Sequence, residues 1–261
     1  MINKYDGFIF DLDGTVYLDN QIIFGADKVI NKLKELNKKI VFLSNKTTGN
    51  IEDYFNFLKS KNFNVTLDEF VNATEIVKKY LSEHHQNKNF YAVAEEKFIK
   101  EIIKAGLKFS EDYNQIEIIL ITLDRTFNSK KLDIAAKALI NGAKFYAANI
   151  DNTCPVKDGE IMDAGTVISL LEKQTEKKLE KNFGKPSKYI IKEVLKKLNV
   201  NKEKCLIIGD RIETDIAMGN FFGIDTALVS TGIKNPTAFF KDNTPTYRFN
   251  SVLDLINYVD N

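Results

Sequence analysis

The 261 residues suffice for one large domain or two smaller ones, and 44% apolar with 28% charged residues is typical of a soluble globular chain. The net charge of +1 excludes the basic footprint of a nucleic-acid-binding or membrane-surface protein. The two cysteines match neither a zinc site nor a disulfide framework. No apolar run reaches the roughly 18 residues of a membrane span and no signal-peptide pattern opens the sequence, so we expect a cytoplasmic location.

Short apolar runs alternate with stretches of helical periodicity along the chain. In chain order the predicted elements are a strand at 8–10, a helix at 26–38, a strand at 40–43, helices at 51–61 and 74–84, a strand at 90–94, a helix at 95–105, a strand at 116–123, a helix at 129–141, a strand at 143–149, helices at 165–175 and 187–199, a strand at 205–209, a helix at 214–222, a strand at 226–229 and a helix at 251–259. This alternation predicts βαβ units and a parallel sheet.

The middle of the chain has its own series of strands and helices, so we predict that it is an inserted domain. Residues 1–86 and 182–261 would form one core together, and residues 87–181 would form the insertion. The predicted fold class is α/β, with a doubly wound parallel-sheet core and an inserted, smaller α/β domain.

Polar side chains follow three of the predicted strands at the points where they end. Asp11 and Asp13 follow FIF, Ser44 and Asn45 follow VFL, and Asp210 follows LIIG. In open parallel sheets, ligands bind at the carboxyl ends of the strands. We therefore expect these side chains to converge, although some lie about 200 positions apart in the sequence.

Two more charged residues extend this group. Asp215 follows Asp210 in GDRIETD, and Lys185 stands in FGKPS before a predicted helix. Several buried carboxylates with one lysine are costly unless a cation binds them, and Mg²⁺ is a hard cation that takes oxygen ligands. Singly, Asp13-Gly14 could be an ordinary turn and Asp210 a helix cap. The repeated placement at strand ends favours a site.

The stretches FDLDGTVY, LSN, GKP and GDRIETD, in this order, resemble the motifs of the haloacid dehalogenase superfamily of aspartate-nucleophile phosphatases. The stretches LDRTFNSKKL, NGAKFYAANIDNTCP and DAGTVISLLEKQT resemble cap sequences of its NagD/4-nitrophenyl-phosphatase branch. The resemblance covers almost the whole chain. It implies a Rossmann-like core, with the insertion as an α/β cap that closes over the site and selects the leaving group.

The resemblance also implies a Mg²⁺-dependent phosphomonoesterase. Asp11 would be the nucleophile that forms an aspartyl-phosphate, and Asp13 the general acid and then the general base. The metal ligands would be Asp11, the Asp13 backbone carbonyl and Asp210. Asp215 would be a further carboxylate of the metal site, acting through water or outer contacts.

The phosphoryl group has its own expected ligands. The resemblance implies that Ser44 and Asn45 bind phosphoryl oxygens and that Lys185 stabilises the charge of the nucleophile and the phosphoryl group. Two positions depart from the usual pattern of the branch. Lys46 replaces a neutral amide and could alter the preferred substrate charge. Arg211 stands where Asn is frequent, and it could hold a substrate anion or point outward in an ion pair.

The candidate substrate contacts of the cap are Asn149, Asp151 and Thr153 in ANIDNTCP, at the end of a predicted strand. The alternative is a plain turn rich in Asn and Asp. Asp124 and Arg125 could contribute to the cap site or to a dimer surface, and the resemblance implies that such caps can support a homodimer.

Three functions are compatible with this sequence. The first is hydrolysis of a small phosphorylated metabolite such as a nucleoside monophosphate, a sugar phosphate or phosphoglycolate, with 4-nitrophenyl phosphate as a generic substrate. The second is a phosphotransferase or mutase that passes the phosphoryl group from Asp11 to a hydroxyl. The third is a non-catalytic sensor of phospho-ligands, which the complete set of acids argues against. Nucleic-acid and membrane partners are not expected.

Overall fold

Two parallel sheets form the scaffold of the computed structural model, which describes residues 2–233 and 243–259. The first sheet has six strands, which from edge to edge are β15 (Tyr247–Phe249), β14 (Asp225–Val229), β13 (Cys205–Gly209), β1 (Gly7–Asp11), β4 (Lys39–Ser44) and β5 (Phe70–Asn72). All neighbouring strands in it are parallel. Ranked by chain order, the strands follow the doubly wound arrangement of Rossmann folds.

The second sheet has five parallel strands that come from one continuous stretch of chain. From edge to edge they are β12 (Lys181–Asn182), β9 (Lys144–Ala147), β8 (Ile118–Ile121), β6 (Asn89–Val93) and β7 (Lys108–Phe109). Their order is the other common doubly wound arrangement, that of flavodoxin-like sheets. The predicted fold class, a doubly wound α/β core with an inserted smaller α/β unit, is confirmed. The domain limits at 86/87 and 181/182 stay a prediction.

Helices and two short hairpins complete the fold. The antiparallel hairpins are β2 (Tyr17–Leu18) with β3 (Gln21–Ile22), and β10 (Thr153–Val156) with β11 (Gly159–Met162). The α-helices are α1 (Ala26–Glu35), α2 (Ile51–Ser60), α3 (Ala73–His84), α4 (Glu96–Lys104), α5 (Ser129–Ile140), α6 (Ala164–Thr175), α7 (Lys188–Leu198), α8 (Ala217–Phe222) and α9 (Ile256–Val259). None of the helices in the described ranges has the length and apolar character needed to cross a bilayer.

Strand β1 lies in the interior of the first sheet, and both of its faces are buried. Successive side chains of a strand point to opposite faces. Phe8 and Phe10 accordingly join the core cluster that includes α1, whereas Ile9 joins the cluster that includes α7. Burying each such side chain contributes about 2 kcal/mol. β1 pairs with β13 on one side and β4 on the other, so the carboxyl ends of these three strands meet at one edge of the sheet.

The two sheets share one hydrophobic core where the chain passes between them. The cluster that contains Ile9 of β1 also contains Phe90 of β6 and Phe183, which directly follows β12. The Phe183 ring contacts Tyr80 of α3 and Tyr146 of β9, with ring centroids 4.9 and 5.8 Å apart. This packing places the second sheet beside the carboxyl edge of the first.

Candidate active site

The carboxyl edge of the first sheet brings the strand-end residues of the sequence analysis together. Asp11 ends β1, Ser44 ends β4 with Asn45 next to it, and Asp210 directly follows β13. All four side chains are buried and line one cavity, together with Lys185. The parallel register explains this meeting, because β1 lies between β4 and β13 in the sheet.

Three carboxylates and one ammonium group form the centre of the site. Ligand atoms of Asp11, Asp210 and Asp215 all lie within 4.8 Å of one another. Lys185 Nζ donates to Asp11 Oδ1 at 2.5 Å and to Asp215 Oδ1 at 2.7 Å. Asp11 Oδ2 is buried and has no hydrogen-bond partner among the described residues. One carboxylate oxygen of Asp11 is therefore held by Lys185 while the other is available to a ligand.

The electrostatic environment of these groups reflects their burial. Burial, reinforced by the charges of Asp215 and Asp210, raises the pKa of Asp11 well above its usual range despite the opposing effect of Lys185. Burial and the Asp215 charge likewise raise the pKa of Asp210 to about 7. Burial disfavours the Lys185 ammonium, but Asp11 and Asp215 outweigh it and raise its pKa. The lysine therefore stays charged, and its single positive charge is too small to compensate the ionisation of all three carboxyl groups.

A hard divalent cation fits this donor set. The cluster offers only carboxylate oxygens, and its three carboxyl groups outnumber the single ammonium group of Lys185. The backbone also approaches closely here. A Cβ on Gly14 or Gly232 would lie 2.5 or 1.8 Å from Asp210 Oδ2, so both positions require glycine. Asp11, Asp210 and Asp215 are thus the side chains that would hold Mg²⁺.

A π-helical turn positions Asp215. The turn covers Ile212–Ile216, so the predicted helix at 214–222 begins with wider winding and becomes α-helical only at Ala217. The backbone N–H of Arg211 donates to Asp215 Oδ2 at 3.3 Å. A Cβ on Gly209 would lie 2.2 Å from Asp215 Cγ. This wide turn and the absent side chain of Gly209 let Asp215 contact Lys185 directly. The expected role of Asp215 toward the metal, through water or outer contacts, stays a prediction.

Asp13 lies beside the carboxylate cluster and has different partners. Lys46 Nζ donates to its Oδ1 at 2.6 Å, and the Tyr17 hydroxyl donates to its Oδ2 at 3.2 Å. Burial lowers the pKa of Lys46, but the Asp13 carboxylate outweighs it and raises this pKa above its ordinary value. Gly14 then turns the chain with φ 87°. Asp13 is thus separated from the carboxylate cluster by its own pair of donors.

Asn45 connects the strand end with two other parts of the site. Its Oδ1 accepts from the backbone N–H of Lys185 at 2.7 Å, and its Nδ2 donates to Asp151 Oδ2 at 2.9 Å. Ser44 Oγ accepts from the backbone N–H of Lys46 at 3.0 Å, which leaves its own hydroxyl proton to be directed elsewhere. Both side chains line the cavity.

The second half of the cavity wall comes from the chain around the second sheet. Asp151, Thr153 and Asp163 line the cavity, and we call these three residues the roof. Asn149, predicted with them, is buried behind the roof, where its Nδ2 donates to the Asn45 carbonyl at 3.3 Å. The cavity between the roof and the strand ends is only about 40 Å³, which is room for a few water molecules.

Arg211 joins the roof to the first sheet. Its side chain is buried, its Nη2 donates to the Thr153 carbonyl at 2.8 Å, and its Nε lies 3.6 Å from Asp151 Oδ1. The alternative of an outward-pointing ion pair is therefore wrong, because the arginine turns inward to these partners. Asp124 and Arg125 do not line this cavity and pair instead with Lys131 and Glu95.

Asp163 is the roof residue that sequence reasoning missed. It is the N-cap of α6 and is only 5% exposed, and its Oδ1 accepts from the Ala164 N–H at 2.5 Å. A Cβ on Gly165 would lie 2.5 Å from the Ile150 carbonyl oxygen, so the start of α6 packs directly on the 150–152 loop. An Asp before an apolar helix reads as a cap in the sequence. That Asp163 also lies in the cavity wall depends on the packing of α6 against the 150–152 loop, which the sequence alone does not show.

The titration of Asp163 predicts how stability depends on pH. Burial and then the nearby Asp151 charge raise its pKa to about 7. The folded protein therefore holds this proton more tightly than the unfolded chain, and the resulting stabilisation is complete below about pH 4 and is lost as pH rises through 7. We expect Asp163→Asn to flatten the fall in unfolding free energy between pH 4 and 7, by up to about 1.4 kcal/mol per pH unit.

Urea unfolding of the metal-free protein at several pH values measures this slope. The matched control is Asp158→Asn, which removes an exposed carboxylate from the turn between β10 and β11. An identical slope in wild type and Asp163→Asn would contradict the assignment of the raised pKa to this group.

Comparison with known proteins agrees with this geometry. Residues 8–108 match the family model of haloacid dehalogenase-like hydrolases, and residues 182–255 match a second, HAD-hydrolase-like model. The chain is 31% identical over 251 residues to the sugar-phosphatase AraL of Bacillus subtilis, which covers 95% of this chain and 91% of that protein. It is 25% identical over 260 residues to the 5'-nucleotidase YutF of the same organism, covering 99% of this chain and all of that protein.

A solved structure extends the likeness to the fold. The p-nitrophenyl phosphatase of Archaeoglobus fulgidus superposes with a TM-score of 0.87 at 30% identity, covering 97% of this chain and 99% of that one. The strand order, the carboxylate cluster and these similarities lead to the same conclusion. The chain belongs to the haloacid dehalogenase-like hydrolases, in the branch of the NagD-like and 4-nitrophenyl phosphatases.

Proposed function

We propose that this phosphatase is a Mg²⁺-dependent phosphomonoesterase that hydrolyses a small phosphorylated metabolite through an aspartyl-phosphate on Asp11. The observation that carries the proposal is the asymmetry of the Asp11 carboxylate. Lys185 holds Oδ1 at 2.5 Å, and Oδ2 is buried in the cavity wall with no partner among the described residues. An oriented carboxylate oxygen without a hydrogen bond is a suitable nucleophile for phosphorus.

In the first step, Asp11 Oδ2 forms a bond to phosphorus and the bond from phosphorus to the leaving oxygen breaks. Asp13, a carboxylate that accepts from Lys46 and Tyr17 in the free protein, takes up a proton before this step and then gives it to that leaving oxygen. In the free protein Asp13 bonds to Lys46 and Tyr17, so its carboxyl group is positioned beside the nucleophile before substrate arrives. Ser44 and the backbone around Asn45 supply hydrogen-bond donors for the phosphoryl oxygens.

In the second step, the Asp13 carboxylate takes a proton from a water molecule, whose oxygen attacks phosphorus. The bond from phosphorus to Asp11 breaks, inorganic phosphate leaves and both aspartates return to their starting forms. Lys185 keeps its two carboxylate contacts and steadies the charge on Asp11 as it is released. Bound Mg²⁺ would supply positive charge for the phosphoryl oxygens, held by the carboxylates of Asp11, Asp210 and Asp215.

Two acceptors could take the phosphoryl group from Asp11: water, or a hydroxyl group of a second metabolite. A phosphotransferase or mutase must place an acceptor hydroxyl near the aspartyl-phosphate. The space of about 40 Å³ between the roof and the strand ends admits water molecules but no metabolite, whether as substrate or as acceptor, while the roof stays in this position. The roof must also move away from the strand ends when a substrate with a larger leaving group enters.

The test is a measurement of 4-nitrophenyl phosphate hydrolysis by the purified chain. We expect turnover with Mg²⁺, loss of turnover with excess EDTA, and recovery when Mg²⁺ is restored, because the carboxylate cluster needs the cation. EDTA already saturated with Mg²⁺ is the control. Full activity in EDTA would contradict the metal requirement. Phosphate release measured beside product analysis separates hydrolysis from transfer, and a chain that binds phosphate esters without turnover would be the sensor.

A further inference from the structure

The roof contains hydrogen-bond acceptors that the proposed chemistry does not use. Asp163 lies in the cavity wall, where its Oδ1 accepts from the Ala164 N–H and where no lysine or arginine of the described residues forms an ion pair with it. Asp151 Oδ2 receives the Asn45 amide, whereas its Oδ1 is buried without a hydrogen-bond partner among the described residues, with Arg211 Nε 3.6 Å away. The cavity therefore presents carboxylate oxygens on the side opposite the nucleophile.

The capping of α6 does not explain why position 163 has a buried carboxylate. Ser, Thr or Asn caps a helix as well as Asp does and avoids a buried charge. At Asp163 the carboxylate is buried beside Asp151, and these two causes raise its pKa to about 7. A group that is costly to ionise in the empty protein gains most when a ligand supplies hydrogen-bond donors to it.

The basic groups of the cavity are already paired. Lys46 donates to Asp13, Lys185 donates to Asp11 and Asp215, and Arg211 donates to the Thr153 carbonyl beside Asp151. A leaving group with its own negative charge would thus meet paired cations, the unpartnered Asp151 Oδ1 and the buried Asp163 carboxylate. A leaving group rich in hydroxyl donors would meet acceptors that need a proton donor.

We propose that Asp163, with Asp151, determines substrate specificity by accepting hydrogen bonds from hydroxyl groups of the leaving group. The substrate class is then a phosphorylated sugar or polyol without a further anionic group, and a carboxylate-bearing ester such as phosphoglycolate is disfavoured by repulsion from the roof. This inference rests on the proposed phosphomonoesterase function. Asp163 acts on substrate choice, and the chemistry at phosphorus stays with the strand-end residues.

The experiment compares three substrates at pH 8, where Asp163 is ionised: ribose 5-phosphate, phosphoglycolate and 4-nitrophenyl phosphate. For Asp163→Asn we expect kcat/KM for ribose 5-phosphate to fall about ten-fold relative to that for 4-nitrophenyl phosphate, because a charge-assisted hydrogen bond becomes a neutral one. The relative kcat/KM for phosphoglycolate should rise several-fold. Asp158→Asn, an exposed carboxylate in the same segment, should leave both ratios unchanged.

A fall in relative kcat/KM for ribose 5-phosphate together with a rise for phosphoglycolate cannot result from a loss of folded protein. Equal changes for all three substrates, or no change, would overturn the assignment of Asp163. If Asp163→Asn does not fold, Asp163→Ser keeps a capping oxygen and should give the same opposite shifts. A wild-type chain that hydrolyses none of the three substrates contradicts the phosphomonoesterase itself, whereas turnover with unmoved ratios contradicts only the role of the roof.

Discussion

Replacing Asp11 by Asn should lower phosphate-ester hydrolysis at least about a thousand-fold, because the amide offers no nucleophilic oxygen. The substitution keeps the shape of the side chain in a cavity wall where Asp11 is only 5% exposed. The fold should therefore survive while the covalent step is lost. Phosphate release under saturating Mg²⁺ and acid-quenched trapping of phosphoryl label on the chain measure the two consequences together.

Two controls make this result specific to the nucleophile. Asp158→Asn removes one carboxylate from an exposed turn and should keep full turnover and labelling. Asp11→Ala, which cannot revert to an aspartate by deamidation, should be as inactive as the Asn variant. Unimpaired turnover or labelling in both Asp11 variants would refute the assignment of the nucleophile.

Replacing Lys185 by Met should destabilise the metal-free protein by about 3–5 kcal/mol, which is the usual cost of removing one partner from a buried ion pair. The loss leaves Asp11 and Asp215 without the ammonium group that now lies 2.5 and 2.7 Å from their oxygens. Part of the stability should return with Mg²⁺, because a bound cation compensates the same carboxylates. Urea unfolding with and without Mg²⁺ measures both effects.

The matched control is Lys178→Met, which breaks an exposed pair with Glu172. Such surface pairs contribute about 0–1 kcal/mol, so this variant should unfold almost like the wild type. Similar losses of unfolding free energy in the two lysine variants would mean that the buried ion pairs of Lys185 stabilise the fold no more than the exposed pair of Lys178 does. A loss at Lys185 that Mg²⁺ does not reduce would argue against a cation at the carboxylate cluster.

The long elements of the fold were predictable because local patterns specify them. The strand at 205–209 has the predicted limits, and α7 covers 188–198 where 187–199 was predicted. The short strands were missed for a physical reason. β7 and β12 have two residues each, and β15 has three, too few for any periodicity, so only pairing with a neighbouring strand defines them.

Parts of the site followed from the sequence for the same reason, and others did not. The chain itself places Asp11 and Asp210 at strand ends, and a parallel sheet then brings those ends together. No local pattern announces that Lys46 reaches Asp13, or that Arg211 turns inward to Asp151. The first contact joins the segments that follow β4 and β1 of the first sheet, and the second depends on how the second sheet packs on the first. Both are tertiary contacts that no local pattern specifies.

The central position of β1 has a consequence for synthesis of the chain. β1 leaves the ribosome before its partner β13, which follows only about two hundred residues later. At about 5–20 residues per second, one edge of β1 waits on the order of ten seconds or more for that partner. The second sheet has all its strands in the intervening segment and can complete itself during this interval. The nascent first half therefore carries an open, apolar strand edge, and the last quarter of the chain closes it.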